Sequence, residues 1–72
     1  MSRDEVIAGL RANIDKVVRV TFEGDDVRDM TIVNLDDEGF VNKIDGELFW
    51  STFDDVENVE PLSTPTDRVP GP

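Results

Sequence analysis

The 72-residue sequence contains no cysteine and no histidine. Disulfide bonds and thiolate metal ligands are therefore excluded, and so are catalytic triads and metal sites that need an imidazole. Ser51 and Thr52 have no neighbouring base in the sequence to activate them. We therefore expect a protein that is not an enzyme, with no catalytic residue, no cofactor and no metal site.

Long apolar runs and clustered basic residues are also missing. No run approaches the roughly 18 residues of a membrane-spanning helix, and no apolar signal segment follows the N-terminus. We expect a cytoplasmic protein without membrane contact. Basic residues number 7 against 17 acidic ones, and the formal net charge is −10. Bulk attraction to nucleic-acid phosphates is disfavoured, because it requires clustered lysine and arginine.

The acidic charge is concentrated in the middle of the chain. Residues 23–60 contain thirteen acidic and two basic side chains. Neighbouring carboxylates can bind a hard cation, but none of these has the spacing of a calcium-binding loop, and acids are ordinary turn residues. These acidic residues could instead form an interaction surface for a basic protein. The residues of this surface are Asp25, Asp26, Asp36, Asp37, Glu38, Asp54, Asp55 and Glu57.

The first fifteen residues favour a helix. Ser2 and Glu5 have the spacing of a capping box, in which each side chain accepts a hydrogen bond from the other's backbone N–H. Apolar residues then recur on one side of the helix, at Val6, Ile7, Leu10 and Ile14. A helix this short is marginal by itself, so we expect residues 1–15 to dock through these side chains on the rest of the domain.

From residue 16 the apolar period changes to two, which is typical of strands. Turn residues divide 16–62 into five strands, and Asp45-Gly46 favours a two-residue type I′ hairpin. In the turn 36–39, Gly39 is available for a positive φ. The apolar parity switches after Ile32, which predicts a bulge near Ile32–Val33. The expected barrel core is Val18, Val20, Phe22, Met30, Ile32, Phe40 or Val41, Leu48 or Phe49, and Val59.

This order of elements resembles the Sm-like fold. The stretches 18–24 and 32–42 are similar to its first strands and their turns, and Val56-Glu-Asn-Val59-Glu-Pro61 is similar to the final strand of the bacterial Sm-like RNA chaperones. The resemblance covers residues 4–62. It implies a mainly β fold: an N-terminal helix followed by a five-stranded antiparallel, SH3-like open barrel. It also implies assembly by joining strand edges into rings.

RNA binding does not carry over with the resemblance. The Lys-His pair that precedes the last strand in those chaperones has no counterpart here, where Phe53 and Asp54 stand. We therefore expect no appreciable RNA binding. Residues 63–72 contain three of the four prolines and one isolated apolar residue, so we expect a flexible tail.

Two functions remain open after these exclusions. The first is an interaction module that forms a homo-oligomer, with the expected interface at Phe49, Trp50, Phe53, Val56 and Val59. Adjacent strand residues point to opposite sides, so Phe49 and Trp50 cannot both fill one core; these aromatic residues could also pack in the core or stack on bases. The second is an acidic mimic of a polyanion that binds a basic protein. High acidity could also reflect only solubility or a salt-rich habitat.

Overall fold

A computed structural model describes residues 1–62 of the chain. The expected tail, 63–72, lies outside the described residues. The predicted fold class is confirmed: one helix precedes five antiparallel strands, with a single 3₁₀ turn before the last strand. The elements in chain order are α1 (Arg3–Arg11), β1 (Val17–Phe22), β2 (Asp26–Leu35), β3 (Gly39–Ile44), β4 (Glu47–Thr52), the 3₁₀ turn (Phe53–Asp55) and β5 (Val56–Pro61).

The five strands form one sheet in the order β4-β3-β2-β1-β5. The sheet curves into a barrel that is not closed, because β4 and β5 are not paired with each other. Both therefore lie at edges. Within residues 1–62, no helix has the length and apolar character needed to cross a lipid bilayer.

The helix begins with the predicted capping box. The Ser2 hydroxyl oxygen accepts from the Glu5 backbone N–H at 3.2 Å, and a Glu5 carboxylate oxygen accepts from the Ser2 backbone N–H at 2.9 Å. The hydrogen bonds from Ser2 lower the pKa of Glu5. The helix ends at Arg11, before the predicted end at residue 15, and the Asn13 side chain donates to the Gly9 carbonyl at 2.7 Å.

The apolar side chains predicted to dock residues 1–15 on the domain do pack on the core, although Ile14 lies beyond the end of α1. Val6 and Leu10 are buried, while Ile7 and Ile14 are partly buried and pack against the same core. Arg3 extends over the Phe53 ring, with its guanidinium carbon 5.7 Å from the ring centroid. The helix thus lies across the barrel on β5 and the 3₁₀ turn.

A bulge in β2 sets the curvature of the sheet. The first part of β2 pairs with β1, the last part pairs with β3, and the register shifts between Ile32 and Asn34, where the bulge was predicted. At the bend, the Ile32 N–H donates to the Lys16 carbonyl and the Ile32 carbonyl accepts from the Asp15 N–H. Every backbone group of Ile32 is therefore used although the strand changes direction there.

A positive φ was predicted in the Asp45-Gly46 turn and at Gly39, and the structure confirms only the first. Asp45 and Gly46 have φ values of 52° and 83°, as a type I′ turn requires. Gly39 does not have the positive φ that we predicted, since it is the first, extended residue of β3. Glycine is required there because the Trp50 ring and the Ser51 carbonyl oxygen approach it closely.

The core contains most of the predicted residues, with three corrections. Leu48 and Phe49 are both exposed, so neither fills the core, and Phe22 is only partly buried. Phe40 is buried in preference to Val41, and its ring stacks on Phe53 with centroids 6.0 Å apart. The buried apolar residues are Val6, Leu10, Val18, Val20, Met30, Ile32, Phe40, Phe53, Val56 and Val59.

We expect Leu10→Ala to destabilise the fold by about 2–4 kcal/mol, because it leaves a cavity between α1 and the barrel. The measurement is chemical denaturation followed by circular dichroism. Val27→Ala is the control, since Val27 is exposed on β2, and it should cost less than about 1 kcal/mol. Equal effects of the two substitutions would show that the helix does not contribute to the core.

Candidate interaction surface

The fourth strand presents three large apolar side chains to solvent. Leu48, Phe49 and Trp50 have exposed fractions of 62%, 46% and 52%. The parity argument predicted that one of Phe49 and Trp50 would leave the core; both do, because β4 has a neighbouring strand on one side only. Phe49 pairs with Asn42 and shares its inner side of the sheet, whereas Trp50 pairs with Val41 on the outer side.

Trp50 is held in one orientation on the outer side of the sheet. Its indole N–H donates to an Asp36 carboxylate oxygen at 2.9 Å. The ring also covers Gly39, where a Cβ atom would lie 2.6 Å from the Trp50 Cζ2 atom and would clash with the Ser51 carbonyl oxygen. Gly39 is therefore required by close approach of the ring and of β4. The indole occupies the space that any side chain at position 39 would need.

Asp36 links the turn between β2 and β3 to the β4 edge. Besides the indole N–H, its carboxylate accepts from the backbone N–H groups of Glu38 and Gly39, both at 2.8 Å. The Glu38 N–H, the Trp50 indole and the Gly39 N–H together hold the pKa of Asp36 below its usual range. One ionised side chain thus fixes both the turn and the tryptophan.

The other three residues of the expected interface are not on the surface. Phe53, Val56 and Val59 are buried in the core of the chain itself, where they lie near α1. Their side chains have no surface to offer a second subunit, and this part of the predicted interface is corrected. The short 3₁₀ turn directs Phe53 inward, and β5 then places Val56 and Val59 beneath the helix.

The residues of the expected acidic surface are all exposed, and the fold brings three acidic segments together. The Phe53 N–H donates to the Glu38 carbonyl at 3.1 Å, and the Glu23 N–H donates to the Asp55 carbonyl at 2.8 Å. The turns around 36–38 and 23–26 are therefore both hydrogen-bonded to the 3₁₀ turn, which carries Asp54 and Asp55. Glu57 follows on β5, and Asp25 and Asp37 occupy the turns themselves.

Part of this acidic charge is compensated within the chain. Among residues 1–62 three arginines form ion pairs: Arg3–Asp54 at 2.6 Å, Arg19–Asp29 at 2.9 Å and Arg28–Asp26 at 3.3 Å. All six side chains are about half exposed or more, so each pair contributes little to stability. The described part of the chain contains no group of three acidic side chains placed to hold a metal ion.

Asn42 is a residue that the sequence analysis missed. It is the one buried polar side chain among residues 1–62, with an exposed fraction of 1%. Its Nδ2 atom donates to the Ser51 hydroxyl at 3.2 Å. The signal was present in the sequence, since Asn42 shares the parity of Phe40 and Ile44 and must point inward with them.

No protein-family model matches the sequence, and no curated protein or solved structure gives a significant match. Membership of the Sm-like family therefore stays a prediction.

We expect Gly39→Ala to destabilise the protein by about 1–3 kcal/mol, because the new methyl group must displace Trp50 and the β4 backbone. The matched control is Gly9→Ala in α1. There the Cβ atom would make an ordinary contact, 3.6 Å from Val59, and the higher helix propensity of alanine should stabilise by about 0.5–1 kcal/mol. Chemical denaturation of the two variants should therefore give changes in the free energy of unfolding of opposite sign. A neutral Gly39→Ala would contradict the close packing of Trp50.

Acid titration of Trp50 fluorescence should report the protonation of Asp36. The lowered pKa means that this carboxylate's stabilising contribution is complete above the ordinary aspartate pKa of about 3.9 and is lost as the pH falls through the lowered value. We therefore expect a fluorescence midpoint below about 3.9. Asp36→Asn should abolish the transition. A midpoint at or above the ordinary value would show that the three hydrogen bonds do not form.

Proposed function

We propose that this protein is a non-enzymatic interaction module that forms a homo-oligomer by joining the β4 edge of one subunit to the β5 edge of the next. The observation that carries the proposal is the β4 edge. This six-residue strand has a free side and exposes Leu48, Phe49 and Trp50 in succession. Natural edge strands are usually protected by charge, proline or bulges. β4 has only Glu47 at its first position as such a residue.

The backbone of β4 is suited to pairing with another strand. The two-residue turn closes on the pair Ile44↔Glu47, and hydrogen-bonded and non-hydrogen-bonded pairs alternate from there. The N–H and C=O groups of Leu48 and Trp50 accordingly point away from β3. A neighbouring strand would add to the sheet through these groups.

The two free edges differ, which determines the form of the assembly. Pairing of β4 with β5 of another copy is a head-to-tail contact, and such contacts generate a closed ring when the rotation between subunits closes. Each subunit then uses both edges once. The predicted similarity to Sm-like proteins supports a ring over an open fibre.

Charge opposes this assembly and makes it sensitive to salt. Each chain has a formal net charge of −10, so subunits repel one another at low ionic strength. Salt screens this repulsion over about 10 Å at 0.1 M, while the burial of apolar side chains persists. We expect the oligomer to become more stable as the salt concentration rises.

Size-exclusion chromatography with light scattering at low and high salt tests the proposal. We expect Leu48→Lys to dissociate the oligomer, because it places a charge on the free edge without disturbing the core. Val27→Lys is the matched control. Val27 is 51% exposed on the internal strand β2, so the same change of charge should leave assembly intact. A monomer at high protein and salt concentration would contradict the proposal, and so would an oligomer that Leu48→Lys does not affect.

A second candidate function is binding of a basic protein by the acidic segments. It is favoured by the two backbone hydrogen bonds that gather the turns 23–26 and 36–38 around the 3₁₀ turn. A monomer that binds a basic protein with strong salt dependence would support it in place of the oligomer.

A further inference from the structure

A cleft of about 570 Å³ opens on the inner side of the sheet, where the barrel stops short of closing. It lies between the β4 edge and the hairpin that joins β1 to β2. Its volume is in the range of sites for small organic ligands, about 300–1,000 Å³. The apolar and aromatic residues of its lining are Phe22, Met30, Ile44, Phe49 and Trp50. This position explains why Phe49 faces inward and is nevertheless half exposed.

The cleft is lined by a residue with a buried, unpartnered polar atom. Asn42 lines it and is 1% exposed, and its Nδ2 atom donates to the Ser51 hydroxyl, which lines the cleft as well. The Asn42 Oδ1 atom is buried and has no hydrogen-bond partner. A buried acceptor without a donor destabilises the fold, so a ligand that donates to it would regain stabilisation.

The charged groups at the cleft select the sign of the ligand. Glu23, Asp26 and Asp55 are acidic residues of the lining. Arg28 is the one basic residue that the described chain contributes there, and Asp26 neutralises it in an ion pair at 3.3 Å. Glu23 and Asp55 have no ion pair among residues 1–62 and are held together by the Glu23 N–H, which donates to the Asp55 carbonyl. The uncompensated charge is negative.

We propose that this cleft binds a primary ammonium ion with an apolar body. The ammonium group is attracted by Glu23 and Asp55, and in the bound form it donates to Asn42 Oδ1, which requires the side chains that cover this atom to move aside. The apolar body packs between Phe22 and Phe49, whose ring faces also attract a cation. An anion would be repelled by the same carboxylates, and a neutral alcohol would gain the hydrogen bond without the charge attraction.

Nuclear magnetic resonance titration tests the proposal, with 2-phenylethylammonium as the probe. We expect saturable shifts of the Asn42 side-chain amide resonances and of the Phe49 and Ser51 backbone amides. At equal ionic strength, 2-phenylethanol should bind more weakly, and 3-phenylpropionate should not bind. A second titration with Nα-acetyl-lysine methylamide distinguishes a lysine side chain of a polypeptide from a free amine as the natural source. The probe that binds with the lower Kd identifies the natural source of the ammonium group.

Variants separate the site from the stability of the fold. Glu23→Gln combined with Asp55→Asn should weaken binding of the ammonium probe by about 3- to 10-fold, as expected for two exposed charges. The control removes the same charge elsewhere, by Asp37→Asn combined with Glu38→Gln, and should leave the affinity unchanged. Neither pair of substitutions alters the core, since all four side chains are exposed.

Asn42→Leu provides the second test. It removes the unpartnered amide, so we expect loss of binding without a decrease in melting temperature. Leu48→Lys, on the opposite side of β4, should bind the probe as the natural chain does, so failure of the oligomer would leave this site intact. Tighter binding of the carboxylate probe would overturn the proposal. The proposal would also be overturned if the Asn42 resonances did not shift. It would be overturned too if the Glu23/Asp55 double variant and the Asp37/Glu38 control weakened binding of the probe equally.

Discussion

The bend in β2 is the constraint on which the rest of the barrel depends. This one strand pairs with β1 over residues 26–31 and with β3 over residues 31–35, and the register shift between Ile32 and Asn34 lies within the β3 pairing, where the sheet turns. This bend brings both ends of β2 close to the 3₁₀ turn. Backbone hydrogen bonds that join the 3₁₀ turn to Glu23 and Glu38 then hold the loops at both ends of β2 in place. The same curvature encloses the core, leaves β4 and β5 unpaired with each other, and creates the cleft beside β4.

Local chemistry made much of this fold predictable. The capping box, the Asp45-Gly46 turn and the bulge after Ile32 depend on neighbouring residues, and all three are confirmed. Gly39 was misinterpreted because its requirement comes from Trp50, a residue on another strand. Phe49 was misplaced for a related reason: alternation gives the side of the sheet on which a residue lies, but not whether the sheet closes over it. The burial of Phe53 likewise depends on the path of the 3₁₀ turn.

The two proposed surfaces use opposite sides of the same strand. Leu48 lies on the outer side and does not line the cleft, whereas Phe49 and Ser51 do; Trp50 lies on the outer side by its pairing but also contributes to the cleft lining. In the two proposals, strand alternation assigns Leu48 to self-association and Phe49 to ligand binding. Asn42 carries a cost that a purely structural core would avoid, since an apolar residue there would leave no unpartnered atom.

The pairing of β1 with β5 has a consequence for the order in which the chain acquires its structure. Val18 at the start of the barrel pairs with Pro61 at its end, and the α1 residue Gly9 faces Val59. During synthesis, the helix and β1 emerge long before the strand on which both depend. The hairpins from β1 to β4 involve neighbours in sequence and can form early, but closure of the core must await β5. Because α1 packs on β5 and the 3₁₀ turn as well as on β2, part of its apolar side lacks a partner until β5 has been synthesised, and in that interval a chaperone or an aggregating neighbour can bind it.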